Sequence, residues 1–169
     1  MEQENSIPHF TAEEIRVLGA LMEKSKTTPE YYPLTLNSLT AACNQKSSRF
    51  PVVDYSEEVV SAALRTLKGT GFVALDIGSN SRVQKFKHNM HLRYPFTEGE
   101  LAIICLLFLR GPQTPGEINT NSNRHHQFIS FGSVQETLNK LAEHNPPFVK
   151  ELPKRSGQKE LRYAHLFTI

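Results

Sequence analysis

The chain has 169 residues, 38% of them hydrophobic and 21% charged, which suits a globular protein and excludes a disordered one. The formal net charge is +2, and divided near residue 95 the chain carries +1 on each side, so neither half is a strongly basic nucleic-acid binder by bulk charge. The acidic, polar start (MEQENS) is unlike a signal peptide, and the longest apolar run, Leu101–Leu109, falls far short of the ~20 residues that span a bilayer. A cytoplasmic protein that does not enter a membrane is the expectation. Cys43 and Cys105 show neither metal-site nor disulfide spacing and read as small buried hydrophobes.

The first helix signal is Thr11-Ala-Glu-Glu14, a capping box in which Thr and Glu serve each other's backbone amides. Ile15, Leu18, Leu21 and Met22 follow at helical spacing, and the helix is expected to end near Lys24. Residues 25–33, rich in Thr and Pro, read as a loop. Thr35 caps a second, short helix that buries Leu36, Leu39 and Cys43 and breaks at the polar segment Asn44–Arg49. Ser56 caps a third, where Glu57 and Glu58 suit the positive end of the helix dipole and Val60, Ala63, Leu64 and Leu67 form the apolar face. Gly69 and Gly71 stop it. A strand over Phe72–Leu75, a turn at Gly78–Ser81 and an alternating strand over Arg82–His88 complete a hairpin. Three helices followed by a hairpin is the order of a winged-helix module.

The same order then recurs. Thr97-x-x-Glu100 is a second capping box, opening a helix whose Leu101, Ile104, Leu107 and Phe108 repeat Ile15, Leu18, Leu21 and Met22 at an offset of 86 residues. Thr114-Pro-Gly-Glu117 is a third box with Pro at the first helical position, and Thr114 and Ile118 repeat Thr35 and Leu39 at an offset of 79. Ser133 is expected to cap the next helix, whose Leu138 and Leu141 repeat Leu64 and Leu67 at 74. Phe148 repeats Phe72 at 76, and Tyr163 and His165 repeat Phe86 and His88 at 77. Offsets that drift only at loops are what a duplicated fold with unequal loops produces. The expected fold class is therefore α+β, two tandem winged-helix domains, residues 1–92 and 93–169, joined by a linker at about Asn89–Phe96.

The stretch Leu18–Pro51, LGALMEKSKTTPEYYPLTLNSLTAACNQKSSRFP, closely resembles the YceH-like bacterial family, whose function is unassigned. VQKFKH at Val83–His88, ELAIICLLFLRGPQTPGE at Glu100–Glu117 and RYAHLF at Arg162–Phe167 agree with it, so the resemblance runs from about Phe10 to Phe167. It implies a tandem winged-helix fold in a bacterial protein and carries over no activity.

No catalytic, metal or cofactor constellation emerges. His125 and His126 are adjacent, so on a helix they point about 100° apart and cannot share a metal as an i, i+4 pair does. There is no H-E-x-x-H, P-loop or G-x-S-x-G motif, and a non-enzymatic protein is expected. For DNA, the third helix is the groove-reading element of a helix-turn-helix unit. Its exposed face here mixes Glu57 and Ser61 with Arg65 and Lys68, and in the second copy Gln135, Glu136, Asn139, Lys140 and Glu143. Acids there repel phosphates, which points away from conventional groove reading.

Basic and polar groups cluster elsewhere. Asn44, Gln45, Lys46 and Arg49 sit between helices two and three, where amides can read adenine edges, or where Asn44 caps the helix of a solvated loop. The first wing carries Arg82, Lys85 and Lys87, and the second Lys154, Arg155 and Lys159, suited to phosphate contact or to keeping edge strands from pairing. Leu101–Leu109 is apolar nearly all round, so faces at Ile103, Leu106 and Leu109 need cover from the first copy or from a second chain. Tyr31 and Tyr32 add aromatics typical of interfaces. The leading expectation is a DNA-binding, regulator-like homodimer on double-stranded DNA. The alternative is a non-catalytic module that binds another protein.

Overall fold

The computed structural model of the chain describes residues 6–76 and 82–169. The turn expected at Gly78–Ser81 and most of the polar start lie outside the described residues. Helix α1 (Ala12–Thr27) opens on the expected capping box, with the Glu14 amide on Thr11 Oγ1 at 3.2 Å and the Thr11 amide on Glu14 Oε1 at 2.8 Å. It runs a turn past the expected stop at Lys24. Ser25 does not break it, because its hydroxyl donates back to the Met22 carbonyl at 2.6 Å inside the helix. A 3₁₀ turn, Pro29–Tyr31, leads to strand β1 (Leu34–Thr35) and helix α2 (Leu36–Cys43), capped by Thr35. Helix α3 (Glu57–Gly69), capped by Ser56, precedes strands β2 (Val73–Asp76) and β3 (Lys85–His88). β1 is two residues long, too short to show alternation, and adds to the hairpin in the antiparallel order β1-β3-β2.

A short helix α4 (Met90–Arg93) lies in the expected linker. Helices α5 (Glu98–Arg110) and α6 (Pro115–Asn121) start on their expected capping boxes. Helix α7 (Phe131–Glu143) starts earlier than expected: the cap is Ser130, and Ser133 is its partner three residues inside the helix. The hydroxyl of Ser133 can stand in for Glu there, so the usual Glu signal was missing and the inner Ser read as the cap. Ser130 lies 74 residues after Ser56, the offset already carried by Leu138 and Leu141. Strands β4 (Val149–Glu151) and β5 (Tyr163–His165) close an antiparallel pair. The fold is mixed, α+β, with helices and two small antiparallel sheets.

The repetition extends to individual hydrogen bonds. The Phe72 amide bonds the Leu67 carbonyl, and the Phe148 amide bonds the Leu141 carbonyl. Asn89 and Leu166 donate to the carbonyls of Phe72 and Phe148. Gln113 bridges Tyr163 as Leu34 pairs with Phe86. At the end of each hairpin a histidine Nδ1 accepts the amide two residues on, Met90 to His88 and Phe167 to His165, both at 3.2 Å. Met90 and Phe167 are fully buried beneath them.

One continuous core serves both halves. α1 is buried at every position from Glu14 to Glu23, and α5 at every position from Ala102 to Leu109. Each is wrapped on one side by its own neighbours, α2, α3 and β3 for α1, and α6, α7 and β5 for α5. On the other side they pack on one another, with Cys105 Sγ 3.4 Å from the Gly19 carbonyl. Gly19 and Cys105 are 86 residues apart, the offset at which the α1 and α5 sequences correspond. A Cβ on Gly19 would stand 2.8 Å from Leu109 Cδ2, so glycine is what permits this approach. The chain ends lock together, the Phe10 amide on the Phe167 carbonyl at 2.6 Å and the Ile169 amide on the Phe10 carbonyl at 3.2 Å. No helix among the described residues is long and apolar enough to cross a membrane.

Two sets of expectations change here. Ile103, Leu106 and Leu109 are buried inside the chain, so they offer no face to a second one. The apolar surplus that pointed to a dimer is consumed by α1. Arg49 is buried as well, and points inward rather than toward a nucleic acid.

Candidate nucleic-acid interface

The segment between α2 and α3 is held from within. Arg49 Nη2 and Nη1 grip the two carboxylate oxygens of Glu23 at 2.6 and 3.0 Å, and Nε and Nη2 donate to the Ala42 carbonyl at 3.1 and 3.0 Å. Arg16, also buried, donates to the carbonyls of Cys43 and Pro51 at 3.0 and 2.6 Å. Asn44 clasps Tyr55, its Oδ1 accepting the Tyr55 amide at 2.7 Å and its Nδ2 donating to the Tyr55 carbonyl at 2.8 Å. Gln45 donates to the Ser47 carbonyl and accepts from Lys24 Nζ, both at 2.9 Å. Of the four polar residues expected to read bases, three are thus spent on the loop's own shape, and Lys46 alone is exposed. Arg49, the buried one of the three, cannot turn to a ligand without losing the bonds that its burial requires.

The structure brings other expected residues together. The outer face of α3 and the base of the first wing enclose a groove of about 810 Å³, lined by Ser61, Arg65 and Lys68 from the helix and Arg82, Gln84 and Phe86 from the wing. Thr35 and Asn37 at the start of α2 close one end, where the Asn37 amide donates to Glu57 at 3.3 Å. The α3 periodicity produces this face: Val60, Ala63, Leu64 and Leu67 are buried, which turns Arg65 and Lys68 outward. Lys85 and Lys87, paired with Asp76 and Ala74 across the hairpin, do not line the groove, and Lys87 lines a separate cavity. The expected wing trio is therefore divided: Arg82, which precedes β3, lines the groove, whereas Lys85 and Lys87, two residues apart on the strand and so on one face of it, do not.

In the second half Lys154, Arg155 and Lys159 are exposed on the connection between β4 and β5, and Gln135, Glu136, Asn139, Lys140 and Glu143 are exposed on α7. Ile129 and Phe131, just before and at the start of α7, are exposed to 99% and 42%. Tyr31 is exposed, whereas Tyr32 is partly buried and its hydroxyl accepts the His88 amide at 2.8 Å.

Burial governs the titratable groups. It pushes the His88 and His165 imidazoles down to about 4, so both are neutral caps at neutral pH. It pushes the Cys43 thiol up to about 12 and that of Cys105 well above its ordinary value, which leaves both inert as nucleophiles. What the sequence did not suggest are the groups gathered where the halves meet: Lys24, Arg110, Arg124 and His125 come from separate segments with no shared motif.

Residues 10–158 match the family described as "Protein of unknown function, DUF480". The chain belongs to this family. It is 50% identical over 153 residues to the UPF0502 protein GSU0233 of Geobacter sulfurreducens, covering 90% of this chain and 69% of that protein. It is 47% identical over 161 residues to a UPF0502 protein of Opitutus terrae, covering 95% and 70%. The UPF0502 protein of Shewanella baltica is 47% identical over 164 residues, covering 94% and 73%. Membership of an uncharacterised bacterial family, expected from Leu18–Pro51, is borne out.

Proposed function

We propose that this DUF480 protein is a non-catalytic, cytoplasmic, tandem winged-helix protein that binds double-stranded DNA. The observation that carries this reading is the groove between α3 and the first wing. There two arginines and a lysine flank Gln84, Ser61 and Asn37, a combination of phosphate-binding cations with groups able to bond base edges. The helix supplies Arg65 and Lys68 from its C-terminal end, while Glu57 lines the groove at the N-terminal end and accepts the Asn37 amide at 3.3 Å, so phosphates approach the basic end. The repeated order of capped helices and hairpin supports two winged-helix units, one per half. Lys154, Arg155 and Lys159 on the second hairpin add a second phosphate contact.

Salt-dependent fluorescence anisotropy with duplex DNA tests this reading. Arg65→Glu with Arg82→Glu is expected to weaken binding strongly and to flatten the salt slope by roughly 1 per lost phosphate contact. Lys85→Glu with Lys87→Glu, outside the groove, is expected to cost less. Equal affinity in the groove variant would overturn the reading. Ile129 and Phe131 favour a second one, in which the start of α7 receives an apolar protein partner, since exposed large hydrophobes close together are typical of contact surfaces. Retained DNA affinity in Ile129→Ser with Phe131→Ser, beside loss of a pulled-down partner, would distinguish the two.

A further inference from the structure

A second cavity, of about 450 Å³, lies where the halves meet, between the end of α1, the segment around Ser48, the end of α5 and the residues after α6. Its charge is one-sided. Lys24, Arg110 and Arg124 line it, and the one acid among its described lining residues is Glu23, whose carboxylate is already gripped by Arg49 at 2.6 and 3.0 Å and approached by Lys24 at 3.4 Å. An arriving anion therefore meets Arg110 and Arg124 without a free competing carboxylate.

The site is also short of partners. Arg110 Nη2 donates to Ser48 Oγ at 3.0 Å, but Arg110 Nε and Thr27 Oγ1 are buried without a hydrogen bond. Both belong to residues that line this cavity, and only Arg16 Nε shares that condition among the described residues. Orphaned buried polar groups are costly, and each calls for a partner such as a bound water or ion. His125, on the wall, is held below its ordinary pKa by burial, partly countered by Glu23, with Arg110, Arg124 and Arg49 adding to the lowering. Apart from Leu106 and Leu109 the rest of the lining is hydroxyl and amide, Ser47, Thr120 and Asn123 among it, and the volume exceeds what a bare inorganic ion fills.

We propose that this cavity binds a small, hydroxyl-rich molecule bearing a phosphate or carboxylate group, with Arg110 and Arg124 as its anion clamp and both halves of the chain supplying its walls. Bidentate guanidinium pairing suits either oxyanion. The inference does not depend on DNA binding, and no residue of the α3 groove takes part.

Isothermal titration in a chloride buffer of fixed ionic strength tests it with glucose 6-phosphate, glucose, inorganic phosphate and citrate. Glucose 6-phosphate is expected to bind more tightly than inorganic phosphate, and glucose not to bind. Citrate binding above both phosphates would assign the site to carboxylates within the same proposal. Arg124→Gln, an exposed position that leaves the core intact, is expected to weaken binding about tenfold, the weight of one charge-assisted pair. Arg110→Gln should weaken it further, with circular dichroism to check folding. Arg65→Glu with Arg82→Glu should leave it unchanged. No heat with any of the three anions, or wild-type affinity in Arg124→Gln, would overturn the proposal.

Discussion

Arg49→Ala separates the structural role of this residue from the DNA contact that its sequence position suggested. The substitution removes two charge-assisted bonds to Glu23, two to the Ala42 carbonyl and one to the Ser48 carbonyl. It leaves a carboxylate that is only 5% exposed facing Lys24 at 3.4 Å as its remaining close cation. Breaking a buried pair from one side costs about 3–5 kcal/mol, and total stabilities run to about 5–15 kcal/mol, so the variant should be near the edge of folding. The pH dependence should change sign. In the native protein burial raises the Glu23 pKa, but the Arg49 bond and charge, with Lys24, bring it below its ordinary value of 4.5. That contribution is present above the unfolded pKa and is lost as the pH falls through the folded one. Without Arg49, burial dominates, the carboxyl pKa rises, and the variant should lose stability as the pH increases from 5 to 7. Urea denaturation followed by far-ultraviolet circular dichroism across that range measures both effects. Glu23→Leu with Arg49→Met, which buries no charge, should recover much of the loss. A cost below about 1 kcal/mol for Arg49→Ala, with an unaltered pH profile, would refute the buried-clamp assignment.

Gly19→Val should destabilise the seam by at least about 2 kcal/mol, because even its Cβ falls 2.8 Å from Leu109 Cδ2; a melting temperature equal to wild type would refute the close approach. Cys105→Asp places an unpaired carboxylate in a fully packed helix at a cost of several kcal/mol, and should abolish soluble expression. His88 and His165, with imidazoles at about 4 when folded and near 6.5 when unfolded, contribute stability that is present above 6.5 and lost as the pH falls toward 4, at about 1.4 kcal/mol per pH unit each. His88→Asn with His165→Asn should flatten the stability profile over that interval. Light scattering at micromolar concentration should return a mass near 19.1 kDa, because α1 already covers the helix face that a second chain was expected to cover.

Local chemistry made the elements legible. Thr11, Thr35, Ser56, Thr97 and Thr114 each cap the helix that follows, because a side-chain oxygen before an apolar run has few other uses. What could not be read was direction in space. Arg49 and Lys46 are near neighbours in one polar segment, yet one is buried on Glu23 and the other exposed, and only the path of α1 decides which. The groove joins Arg65 to Arg82 across a hairpin, and the anion cavity joins Lys24 to Arg124 across the whole fold. Neither pairing has a spacing that a motif could express.

The repeat itself resolves the one place where composition misled. An all-round apolar helix asked for a partner, and the sequence left open whether that partner was the first copy or another chain. Gly19 and Cys105 lie 86 residues apart, the offset that relates α1 to α5 in the sequence, and they touch each other as equivalent positions do at an isologous interface. A symmetric dimer must use one residue type for both sides of its axis. Within one chain that constraint is absent, and here one side is glycine and the other cysteine, with α1 and α5 so close that a Cβ on Gly19 would stand 2.8 Å from Leu109 Cδ2. The same freedom reaches the surface: the groove beside α3 carries Arg65 and Lys68, while the start of α7 carries Ile129 and Phe131. The two halves, packed on one shared core, thus present different chemistry at their surfaces.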